Sequence, residues 1–352
     1  MADLEAAPVS YEDLADIEDE FEEVDTEISS RLPHNLNVRK QYELSASLYA
    51  KRSAAASKIP NFWSLVFEQA PVEIDQYIQP HDSRIFAESL VSFEVRRPEL
   101  DTKGSGNPRS ISVEFEFKPN DDFEDTVLEK TFWYRRSRDG WSGLVSEPVK
   151  IRWKKGKDLT EGLTDGAIAL WEARRKTGDM AAKGLPEYTA LKKKVESWNG
   201  MNTSFFTWFG WVSGRRWVSA EECEKANAEY AELKQKRKTG GKLDIPDDDA
   251  EDDAEADIHD DDVEVHQAGE ELAISFADDL WPNAIKLFTQ AQEDDEISEA
   301  DFEDLDGEDM EDDEDGDGEP VDIRALVQDK GAKGRSRDST GSTGPPSKKV
   351  KK

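Results

Sequence analysis

The chain has 352 residues, of which 36% are hydrophobic and 36% charged, and its formal net charge is -34. That length allows one or two domains with a real core, but so charged a composition leaves part of the chain unable to pack. One cysteine excludes an internal disulfide and points to a reducing compartment; no apolar run approaches the roughly 18 residues of a membrane span.

The charge is concentrated in tracts. Residues 3–27 hold twelve acids and no base, 247–264 another twelve, and 293–319 eighteen, again with no base. Residues 28–246 carry 36 bases against 31 acids, so the body is slightly positive. This is the pattern of an electrostatic device attached to a folded body. Ten tryptophans require that body to have a well-packed interior.

In chain order, residues 1–10 read as disordered and 11–58 as a long dimerisation helix. Leu14, Ile17, Phe21, Val24 and Ile28 fall three and four apart, a coiled-coil seam. The same frame passes through Val38, Tyr42, Ser45 and Tyr49. Pro33 lies on its outward side and predicts a bend near residues 30–36, with two separate helices as the competing reading. A stripe this narrow needs a covering helix. A second copy of the chain is one candidate and the chain's own body is the other.

A second helix is expected from Asn61. From residue 84 the period shortens towards Ser92 to Arg96. Ile111, Val113, Phe115 and Phe117 alternate with polar residues as a half-buried strand. Leu128 to Tyr134 reads as the next strand and Pro148 to Lys154 as a third, so the sheet is antiparallel. Residues 158–204 read as helical with breaks near Gly178 and Gly184. Phe205 to Phe209 is too aromatic to be exposed. Ala220 to Lys238 is a polar helix, and Glu270 to Trp281 a last one stopped by Pro282. The tracts 247–264 and 293–319 read as disordered, and 320–352 as a basic tail ending in Lys348, Lys349, Lys351 and Lys352. That cluster reads as a nuclear localisation signal or a solubilising tail.

Five blocks then resemble a known family: Lys58-Ile59-Pro60-Asn61-Phe62-Trp63; Asp122 to Leu128; Lys154 to Thr160; Ser204 to Phe209; and Asp278-Asp279-Leu280-Trp281-Pro282-Asn283. In this order they resemble the nucleosome assembly protein family, and its SET-like branch in particular. The resemblance implies an α+β fold: an antiparallel dimer built on the long helix, with an earmuff domain of sheet and helices over residues 59–292. It also implies an underside that binds core histones. Pro33 departs from the family pattern, and residues 211–269 read as a helical and acidic insertion.

Flexible polyanions beside a folded dimer suit a histone partner, because they compete with DNA for the same cations. The expected contacts on the earmuff underside are Asp158, Glu161, Asp165, Asp278 and Asp279. Those on the acidic tail are Asp294, Asp295, Glu296, Glu311, Asp312, Asp313, Glu314 and Asp315. Phe62, Trp63, Phe205, Phe206, Trp208 and Trp281 are read as core. No cofactor or metal is expected, since His34, His81, His259 and His266 show no metal-ligand spacing and no phosphate loop is present. The protein is therefore read as a nuclear, non-enzymatic histone chaperone, shuttling with the cytoplasm in one version. The alternative is a regulator of a histone acetyltransferase or a protein phosphatase. A weaker expectation is DNA contact through Arg135, Arg136, Arg152, Lys154, Lys155 and Lys157, against the reading of a charged strand edge.

Overall fold

The computed structural model describes residues 14, 17, 34–101, 106–197, 203–238 and 262–293. All lie in the first of two units into which the chain divides, Met1–Ala300 and Asp301–Lys352.

Helix α1 covers His34–Ala56. The course of the chain from 18 to 33, where the bend was expected, lies outside the described residues. Ser45, Leu48, Arg52 and Ala56 recur three and four apart on α1 and are buried against the chain's own body. Leu14 belongs to the same core at 3% exposure, with Ile17 packed on it.

Asn61, at φ 58°, turns the chain into α2, Phe62–Glu68, which buries Phe62, Trp63, Val66 and Phe67. A short α3, Val72–Asp75, precedes α4, Pro80–Ser89. Proline suits the first turn of α4, where no amide is needed, and the Asp82 carboxylate accepts the Gln79 amide at 3.0 Å. Helix therefore persists to Ser89, past the shortening of the period expected from residue 84.

The sheet has four antiparallel strands in the order β1 (Leu90–Arg96), β2 (Ile111–Phe117), β3 (Val127–Arg136) and β4 (Ser142–Ser146), with α5, Pro98–Asp101, between the first two. The strand expected at 148–154 is not part of it. That segment is extended but makes one isolated bridge, Trp153 to Phe123. Its amides and carbonyls serve irregular chain instead: Val149 donates to Phe209 O at 2.8 Å, and Arg152 O accepts Glu124 N at 2.9 Å. The place in the sheet goes to β4, joined to β3 by a tight turn in which Gly140 has φ 93°.

Helix α6, Leu163–Thr177, ends at Gly178 with φ 74°, and α7, Pro186–Ser197, packs beside it. A 3₁₀ turn, Phe205–Gly210, is buried throughout. Helix α8, Ala220–Lys238, falls where the sequence put it. The last helix does not. After α9, Gly269–Ser275, the chain passes through a π-helical turn, Phe276–Leu280. Pro282 ends that run, yet α10 resumes over 284–293, because Ala284, Ile285, Leu287, Phe288 and Ala291 supply a second apolar face.

The core is an aromatic cluster between sheet and helices. Phe115 has ring centroids of Phe93, Phe205 and Phe209 at 5.0, 5.7 and 5.9 Å. Trp63 and Trp281 stack at 5.5 Å and 5°. Phe205, Phe206 and Trp208 are fully buried, as their aromatic density required.

Several ionisable side chains enter this interior, Arg52 of α1 among them. Lys130 occupies an inward position of β3 and donates to the carbonyls of Glu147, Phe209 and Trp211 at 3.1, 3.1 and 2.8 Å. Burial pulls its amine well below the usual lysine range, while three acceptors support the protonated form. Asp82 accepts from Ser204 Oγ at 2.6 Å and Phe205 N at 2.7 Å, tying α4 to the aromatic turn. Glu270 accepts from Leu144 N at 3.0 Å, covering the outer edge of β4; burial raises its carboxyl to about 7. His266, 5% exposed, is another.

The segment read as an insertion is anchored at both ends. Trp211, Val218, Cys223 and Ala226 are buried on one side, and Val265, His266 and Ala268 on the other. The acid tract 247–264 also reaches into the fold, since Arg174 binds Asp262 through both guanidinium nitrogens. Residues 239–261 lie outside the described residues.

Candidate interaction surfaces

Asp158, Glu161 and Asp165 lead into and begin α6, but they have different jobs. The Asp158 carboxylate accepts from Thr160 N at 2.8 Å, Thr160 Oγ1 at 2.7 Å and Gly162 N at 2.7 Å. It builds the turn before the helix, and its lone pairs are largely spent there. Glu161 and Asp165 are exposed, and Asp165 sits in the first turn of α6, where the helix dipole favours an anion.

Asp278 and Asp279 are exposed on the π-helical turn. Asp278 pairs with Arg97 at 2.9 Å. Partial burial and then the like charges of Asp278 and Glu73 raise the Asp279 carboxyl above the ordinary range. Glu73, on α3, is therefore a third member of this cluster. Sequence reasoning missed it because it is about two hundred residues away along the chain. Among the described residues no hydrogen bond or ion pair joins this cluster to Glu161 or Asp165.

Val38, Tyr42 and Tyr49 of the expected dimer seam line a groove of about 180 Å³ between α1 and the body, with Val95, Arg97, Asp278 and Trp281 opposite. Seam residues and Asp278 thus share one groove. Beneath it the Arg52 guanidinium lies 4.0 Å from the Trp281 ring centroid and donates to the Trp281 carbonyl. Phe21, Val24 and Ile28 lie outside the described residues, as do the tail positions Asp294 to Asp315 and the basic cluster Lys348 to Lys352.

A further acidic surface appears only in the register. Glu94 stands directly opposite Glu114, and Glu114 opposite Glu129, so three like charges cross the solvent face of the sheet in a row. Like charges in that position repel. Arg96 offsets this, pairing with Glu94 at 2.5 Å and Glu114 at 3.4 Å, while Ser112 Oγ donates to Glu129 at 2.8 Å. These bonds hold the Arg96 guanidinium above its ordinary range.

The six bases suggested for DNA do not form one free stripe. Arg135 pairs with Glu99 at 3.1 Å, Arg152 with Asp125 at 2.8 Å, and Lys157 approaches Asp122 at 3.7 Å. Arg136 lies over the Tyr230 ring at 4.2 Å, and Lys154 donates to the Asn120 carbonyl. Lys155 is exposed.

Exposed carboxylates on several surfaces, with the large aromatics committed to the core, define an α+β body that carries local acidic clusters. Among the described residues no cluster of His, Cys, Asp or Glu could hold a metal ion, and no helix is long and apolar enough to cross a membrane. The family model for nucleosome assembly protein matches residues 9–291, and the chain belongs to that family. It is 27% identical over 300 residues to NAP1-related protein 2 of Arabidopsis thaliana, covering 85% of this chain and 80% of that one. A putative nucleosome assembly protein of Schizosaccharomyces pombe is 34% identical over 167 residues, 44% of this chain and 62% of its own length. The crystal structure of Ccp1 aligns with 80% of this chain and 95% of that one, at 25% identity and a TM-score of 0.40.

Proposed function

We propose that the protein is a histone chaperone: a homodimer that binds core histones, shields their basic surfaces and assists nucleosome assembly. The family match over residues 9–291 carries this reading. Support comes from three acid tracts on a body whose exposed carboxylates include Glu73, Asp278 and Asp279. In this reading Glu161, Asp165, Asp278 and Asp279 present fixed carboxylates to the histone, and Asp158 shapes the loop. The acids from Asp294 to Asp315 collect basic tails without demanding one geometry.

Dimerisation uses the seam through Phe21, Val24 and Ile28, continued by Val38, Tyr42 and Tyr49, while Leu14 and Ile17, the first two positions of the expected seam, are packed in the chain's own core. The groove along α1 is the place a second copy would cover. The chromatin partner and the Lys348 to Lys352 cluster favour a nuclear location. Light scattering on a chain ending at residue 293 tests the dimer, with twice the chain mass expected and a monomer against it. Affinity capture tests the partner. Core histones are expected; recovery of a phosphatase or acetyltransferase without histones would favour a regulator.

A further inference from the structure

One face of the sheet is left open. Phe93 and Val95 of β1, Val113 and Phe115 of β2, and Leu128 and Phe132 of β3 are buried, so the residues that alternate with them point outward. Pairing sets these in rows across the strands: Ser92, Glu116 and Val127, then Glu94, Glu114 and Glu129. Glu116 and Glu129 are exposed, Val127 is 47% exposed, and Val91, at the bulge of β1, is 45% exposed. No element among the described residues therefore covers this end of the face.

Charge narrows what could cover it. Of the carboxylates in the second row, Glu94 and Glu114 share Arg96, and Glu129 receives the Ser112 hydroxyl. Like charges facing one another weaken a sheet, so a cationic partner relieves a standing repulsion, whereas a nucleic acid adds to it. Among the described residues no group of acids could hold a metal ion. The carboxylates are strung out in a line, and their complement is a line of bases.

Spacing then selects the form of that line. Neighbouring strands stand about 4.8 Å apart, and the three carboxylates repeat at that interval across the sheet. Side chains three or four residues apart on a helix are about 5–6 Å apart. Those on one side of an extended chain are about 7 Å apart, and after three positions they are out of step with the row. We infer that the outward face of the sheet docks an amphipathic basic helix of a partner protein. The helix lies across the strands with three bases over Glu94, Glu114 and Glu129 and an aliphatic edge on Val127. Asp278 and Asp279 belong to the turn whose Phe276 packs on Phe93 and Phe115 of the inward face. The surface is thus separate from that cluster, and the inference does not rest on the histone reading.

The test is fluorescence anisotropy on the full chain at physiological salt, with two labelled peptides of about 20 residues and identical composition. One carries its lysines at i, i+4 and i+7 beside leucines; the other has the same residues distributed round the helix. The acid tracts meet equal charge in both, so a difference in affinity reports a structured site. The one-faced peptide should bind about tenfold tighter, as three surface ion pairs would give. A central proline in that peptide should remove the advantage. So should the triple variant Glu94→Gln, Glu114→Gln, Glu129→Gln, whose melting temperature should not fall because a repulsion is removed. Equal affinity for the two peptides, an advantage that survives the proline, or one that survives the triple variant would each overturn the assignment.

Discussion

Arg174 and Asp262 form a two-point ion pair with side-chain exposures of 6% and 14%. The acid belongs to a tract that reads as detachable, yet it is held against α6 88 residues earlier in the chain. Val263 and Val265, packed with Leu163, Leu170 and Leu191, continue the attachment. One end of the tract is thereby fixed at a set place on the body.

Breaking this pair from one side strands a buried charge. Arg174→Met or Asp262→Asn should destabilise the protein by about 3 kcal/mol, and the double variant by less than the two single losses together. Urea denaturation of all three checks this; simple additivity would mean that the pair does not act as a unit.

Glu270 makes stability depend on pH in an unusual direction for a carboxylate. Its carboxyl ionises near 4.5 when unfolded and at about 7 when folded. Between those values the folded state keeps a proton that the unfolded state has lost. Its contribution is therefore full below about 4.5 and falls as pH rises through about 7, by up to about 3 kcal/mol. Buried His266, lowered from 6.5 to about 3, acts oppositely, losing stability as pH falls below 6.5. Glu270→Gln should gain stability relative to the parent as pH rises from 5 to 8. A constant difference across that range would remove Glu270 as the cause.

The row Glu94, Glu114, Glu129 holds its central member between two like charges. Glu114→Gln should raise stability by about 0.5 kcal/mol at low salt, and the gain should shrink at high salt. Thermal melts at two ionic strengths test this. A loss of stability would show that the 3.4 Å contact with Arg96 outweighs the repulsion.

Reversing charge at Glu73, Asp278 and Asp279 together should weaken core-histone binding by roughly tenfold at physiological salt, chiefly through slower association, with little change in melting temperature. Fluorescence titration measures the affinity. Unchanged binding would take this cluster out of the histone surface.

Much of the fold was legible because its elements carry their own periodicity. The alternation in β2 and the breaks at Gly178 and Gly184 place elements where they are found. β4 was missed because Ser142, Gly143 and Ser146 are weak strand formers, and pairing with Trp133 and Tyr134 holds it. Residues 148–154 carry a strand's alternation, but the chain they meet is mostly irregular. The site was less legible. Asp158 looked like a binding acid, although an aspartate two residues before a threonine and four before a glycine also suits a capping turn. Glu73 and the glutamate row exist only once the chain is folded and in register.

The central claim is that the fixed surface and the acidic tail share the work on histones. The most direct measurement is core-histone affinity against salt for the full chain and a chain ending at residue 293. Both should bind, with the shorter one weaker and less salt-dependent, because the body keeps its own carboxylates. A complete loss of binding in the shorter chain, or identical affinity and salt dependence in the two, would contradict it.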